Sequence, residues 1–181
     1  EFIGGKSPVV VNPTFYGHGF LFNDTALEGT VPYHEGMHAI TSPIAGLEGT
    51  EGSALNEGQA DMWAFTITDS PTLGEYVVNG YRLRQLFRDI GRDPDSIGYI
   101  RSAESTLKYS DLATRLIGGV PSFEEHYDGE IYMSTMWEFR QMLNRMYPQD
   151  TQFKRPQASD GQPVKKITKG TNIFERNFLG S

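Results

Sequence analysis

The chain has 181 residues, no cysteine, and 16 Lys+Arg against 23 Asp+Glu, a formal net charge of −7. That length suits one domain and a 38% hydrophobic share supplies a core, so neither a disordered tail nor a disulfide-stapled miniprotein fits. No basic run exceeds Lys165-Lys166, which argues against nucleic acid; no apolar stretch reaches the ~18–20 residues of a membrane span; and any metal must rest on His and carboxylates.

Residues 1–23 are rich in Gly, Pro, Val and aromatics, with Val9-Val10-Val11 and Phe20-Leu21-Phe22, and are expected to form short strands joined by turns. From residue 24 the pattern turns helical. A first helix is predicted near 31–42 and a second near 54–68. A third is predicted near 75–90, where Leu83, Leu86, Phe87 and Ile90 recur at three- and four-residue spacing until Gly91-Arg92-Asp93-Pro94 stops it. Residues 92–110 read as a long ordered loop and 111–118 as a short helix. A long helix over 124–147 has Tyr132, Met136, Phe139, Leu143 and Met146 as its expected core stripe. The polar stretch 148–170, with three prolines, reads as a solvated loop. An amphipathic pattern over 171–179 breaks off at Gly180-Ser181, and the chain opens at Glu1 with neither Met nor a leader, so it reads as a piece of a longer protein. The fold expected is a single α+β domain, predominantly helical, with a β/turn segment (1–23), a helical core (24–147) and a polar end (148–181).

Chemistry concentrates in His34-Glu35-Gly36-Met37-His38. On a helix, positions i and i+4 share a face, so His34 and His38 can offer imidazole nitrogens to one ion. Glu35, about 100° around, can reach a water on that ion. Chance places such a pattern in only about 0.6% of chains of this composition. Catalytic zinc takes three protein ligands and keeps a position open, so a third ligand is required. Asn56-Glu57-Gly58-Gln59-Ala60-Asp61 supplies a carboxylate, Glu57, on the next helix, with 18 residues between His38 and Glu57. A turn through Ser42-Pro43 and the Gly-rich run to Gly52 lets the two helices pack together. Asp61, one helical turn beyond Glu57, is placed to accept from the free ring N–H of a ligating histidine. His18 reads as structural.

HExxH followed by NEGxxxD resembles the gluzincin arrangement, and the nearest likeness is to fungalysin-type and thermolysin-like zinc endopeptidases. The resemblance implies a thermolysin-like zincin catalytic domain holding one zinc ion on His34, His38 and Glu57. It makes Glu35 the activator of water and Asp61 the support of a ligating histidine. Ile100-Arg101-Ser102 and Tyr109-Ser110-Asp111-Leu112 resemble a segment in which those families set an arginine near the backbone carbonyl of substrate, so Arg101 is a substrate-binding candidate, beside the equally open reading of an ion pair. His126-Tyr127-Asp128-Gly129-Glu130, running on to Met136-Trp137, resembles the fungalysin HxxGExWAxxLW segment, which implies His126 as a hydrogen-bond donor to the tetrahedral oxyanion. Peptide or protein is then the partner, and an extracellular setting follows from the resemblance alone. No EF-hand loop occurs, and calcium is left open.

The chain also departs from the pattern. Gly36-Met37-His38-Ala39 is unusual; Gly36 costs the helix roughly 1 kcal/mol relative to Ala, and Pro32 must sit in the first turn or kink the helix. The β-rich N-terminal portion and the C-terminal helical end of those families are abbreviated. A protease-like binding or regulatory module without catalysis is therefore the second expectation. A third is an aminopeptidase, since Leu55-Asn56-Glu57-Gly58 and the same gap also resemble enzymes of the leukotriene-hydrolase type, although residues 1–33 lack their GxMEN-like segment.

Overall fold

The computed structural model describes residues 16, 17, 19–41, 46–112, 116, 117, 120–154 and 166–178. After a 3-10 turn at Thr25–Leu27, helices α1 (Thr30–Thr41) and α2 (Gly49–Thr68) form an adjacent pair. Strand β1 (Thr72–Leu73), α3 (Glu75–Val78), α4 (Tyr81–Asp89), β2 (Arg101–Ser102) and α5 (Tyr109–Leu112) follow, then β3 (Leu116–Ile117) and β4 (Val120–Pro121). The longest helix, α6 (Glu125–Met146), leads to β5 (Asp150–Lys154), β6 (Lys166–Thr168) and α7 (Lys169–Phe178). The strands make three separate antiparallel pairs, β1 with β2, β3 with β4 and β5 with β6. Helices dominate, and no helix of the described residues is long and apolar enough to cross a membrane.

The main core lies between α2, α6 and α7, where Met62, Phe65, Met133, Trp137, Leu143 and Phe174 are buried together with Leu73 and Ala103. At one end of the α2–α6 contact the two backbones touch. A Cβ on Gly58 would lie 2.6 Å from the Gly129 carbonyl oxygen, and one on Gly129 would lie 2.8 Å from that of Ala54. Real Cβ atoms do not approach so closely, so this pair of glycines sets the helix separation and brings the start of α6 beside Glu57.

That contact also corrects the expected stripe on α6. Its buried positions are Asp128, Gly129, Met133, Ser134, Trp137, Arg140 and Leu143, whereas Phe139 and Met146 are 41% and 57% exposed. The glycine approach turns the 129/133/137 face inward, and Arg140 follows it because its guanidinium stacks 4.9 Å from the Trp137 ring centre and donates to Asp69 at 2.6 Å.

Other boundaries shift for local reasons. Helix α2 begins at Gly49, five residues ahead of the expected 54, because Gly52 lacks the Cβ that would meet the Leu47 backbone at 2.8 Å. The helix predicted over 75–90 is split at Asn79-Gly80, where the backbone of Gly80 presses against the Leu21 carbonyl; an added Cβ would lie 2.6 Å from it. The expected helix at 111–118 is a single turn over 109–112 followed by the β3–β4 pair. The long loop of 92–110 is interrupted by β2. The stretch 148–170 is not all loop: Asp150 pairs with Thr168 and Lys154 with Lys166. A strand as short as Lys166–Thr168 leaves too little alternation to read. The strands expected in 1–23 find no counterpart at residues 16, 17 and 19–23; residues 1–15, and His18 with its structural reading, lie outside the described residues.

Candidate metal centre

Pro32 sits in the first turn of α1, where its missing N–H interrupts no hydrogen bond, and α1 runs on through both histidines. His34 and His38 emerge one turn apart with Nε2 atoms 3.0 Å from each other. Glu57 comes across from α2: its Oε2 is 3.3 Å from His34 Nε2 and its Oε1 3.3 Å from His38 Nε2. The three side chains thus form a cluster with a ligand atom from each within 4.8 Å of the others.

Two features of this cluster fit a divalent ion. Donors sharing one tetrahedral zinc at its usual bond lengths stand about 3.3 Å apart, close to the spacing seen here. Glu57 Oε2 is also buried with no hydrogen-bond donor, an arrangement that costs free energy unless a cation answers it. His34, His38 and Glu57 would hold the ion.

Behind the cluster is a second layer of charge. Asp61 is fully buried, with Oδ1 2.7 Å from His34 Nδ1. Arg101, on β2, grips the same carboxylate with two donors, Nε at 2.6 Å and Nη2 at 2.8 Å. The β1–β2 pair positions Arg101, and Glu28 steadies the approach to α1 by accepting from Thr30 Oγ1 at 2.9 Å and from the Tyr76 backbone at 2.7 Å. Asp61 therefore fixes the His34 ring so that Nε2 faces Glu57. Burial alone would lower the His34 pKa, but Asp61 and Glu57 outweigh it and raise it to about 9. Burial likewise opposes charge on Glu57 and Asp61, yet the histidines hold Glu57 well below the usual carboxylate range, and His34 with Arg101 does so for Asp61.

Glu35 stands about 100° around α1 from His34 and is half-buried. His126, at the start of α6, places Nε2 3.6 Å from Glu57 Oε2, and its side chain is 45% exposed. Of the residues singled out in the sequence, His34, His38, Glu57, Asp61, Arg101 and His126 thus share one connected cluster. The ion-pair alternative for Arg101 describes its geometry, and the Asp61 fork leaves Nη1 over.

Two neighbours were not anticipated. Glu124 caps α6 and holds His126 Nδ1 at 2.6 Å, and Glu125 lies close to both His126 and Glu57. The available signal was an acidic pair at a predicted helix start, immediately ahead of a singled-out histidine. Comparison with protein-family models, with curated proteins and with solved structures finds no match for this chain.

Proposed function

We propose that this chain is the core of a zinc-dependent endopeptidase, a thermolysin-like zincin acting on peptide or protein outside the cell. The observation that carries the reading is the convergence of the His34 and His38 Nε2 atoms on both oxygens of Glu57, in a helix that also supplies Glu35. Zinc held there would supply Lewis-acid polarisation of a peptide carbonyl and a lowered pKa for the attacking water. The carboxylate of Glu35 takes the proton of that water and delivers it to the leaving amine nitrogen. His126, its Nδ1 held by Glu124, donates from Nε2 to the oxyanion. Arg101 keeps His34 aligned through Asp61 and turns Nη1 to a substrate carbonyl.

The test is Glu35→Gln. Glu35 is not a ligand, so the variant retains its zinc and loses cleavage of a casein-like substrate by at least a hundredfold. Cleavage at the wild-type rate overturns the assignment, and a wild type that holds zinc without cutting any peptide points to the binding module instead.

A further inference from the structure

His126 Nδ1 lies 2.6 Å from Glu124 Oε1, and the Glu124 carboxylate is itself fixed by the backbone N–H groups of His126, at 3.4 Å, and Tyr127, at 2.7 Å. A carboxylate only accepts, so Nδ1 carries a proton and Nε2 is the ring atom turned toward Glu57. That nitrogen is 3.6 Å from Glu57 Oε2, the buried oxygen without a donor. Glu125 completes the set: ligand atoms of Glu57, Glu125 and His126 all lie within 4.8 Å of one another, so Glu57 belongs to this cluster as well as to that of His34 and His38.

We propose that Glu57 bridges two cation sites, the second formed by Glu57, Glu125 and His126 and taking zinc or a similar divalent transition ion. This rests on the reading of Glu57 as a zinc ligand in the preceding section. The two oxygens of Glu57 are shared: Oε1 lies 3.3 Å from His38 Nε2, and Oε2 faces both His34 Nε2, at 3.3 Å, and His126 Nε2, at 3.6 Å. One imidazole nitrogen with two carboxylates suits a zinc-like ion better than magnesium or calcium, which prefer oxygen alone. Two features make this site the weaker one. Arg101 Nη2 stands 3.9 Å from Oε2 and competes for it, and the positive end of α6 opposes a cation. Donation to an oxyanion requires the doubly protonated ring and the ion requires the neutral one, so His126 serves one role at a time.

Zinc titration of the wild-type chain by isothermal calorimetry, with bound metal counted by mass spectrometry after equilibrium dialysis, tests this. Two ions per chain are expected, the second weaker. In Glu125→Gln and His126→Gln, with circular dichroism confirming the fold, the second ion binds at least tenfold more weakly and the first is unchanged. A wild type saturating at one ion, or a second ion equally tight in both variants, overturns the bridge; zinc then lost in His38→Gln leaves the first site standing. A wild type that binds no zinc overturns both readings.

Discussion

The α2–α6 pair is packed in two different ways along its length. At one end Phe65 meets Trp137 edge-on with ring centres 6.3 Å apart, and Met62, Met133 and Leu143 close around them. At the other end Gly58 and Gly129 bring backbone against backbone, with the Tyr132 side chain beside Gly58, and charged groups gather beside the contact. The difference teaches how a small domain holds a buried polar centre. Apolar side chains supply stability at a distance, while the glycine approach sets the distance at which Glu57 meets the start of α6.

Four changes break or sharpen that comparison. The largest effect belongs to the apolar end, where Phe65→Ala removes a fully buried ring and destabilises by about 3–5 kcal/mol in urea unfolding, with zinc affinity of the folded fraction unchanged. Next, Gly129→Ala forces the helices apart. About 1–3 kcal/mol is lost and, unlike Phe65→Ala, zinc binding weakens as well, measured by calorimetry beside thermal melting. Asp61→Asn acts on the polar end alone: His34 loses its charged orienting partner, and zinc affinity falls by about 10–100-fold. Smallest and of opposite sign is Gly36→Ala. An added Cβ there meets nothing within 4 Å, so α1 and its histidines are stabilised by up to about 1 kcal/mol, read as a rise in melting temperature.

The two ends were also unequally legible. His34 and His38 follow from helical spacing alone, a local property that tertiary packing does not alter, and Glu57 with Asp61 follows from a gap that allows the two helices to pack, together with the NEGxxxD resemblance. Backbone proximity between α2 and α6 has no such signature. Gly58 and Gly129 look like any glycines in a helical stretch, so the expected stripe on α6 held at Leu143 but not at the exposed Phe139 and Met146, and nothing in it pointed to Arg140, which is 1% exposed. Likewise the pairs β1–β2 and β3–β4 are two residues long on each side, too short for a period to register. Glu124 and Glu125 escaped because an acidic pair at a helix start is ordinary capping until the neighbour across the seam is known.

Arg140 has an optical consequence. Its guanidinium, seated over Trp137 and tied to Asp69 at the end of α2, places a fixed charge beside one of only two tryptophans in the chain. Indole emission responds to nearby charge, so any slippage of α2 against α6 registers as a colour shift of Trp137. The protein thus carries its own fluorescent gauge of the seam beside which His34, His38 and Glu57 gather.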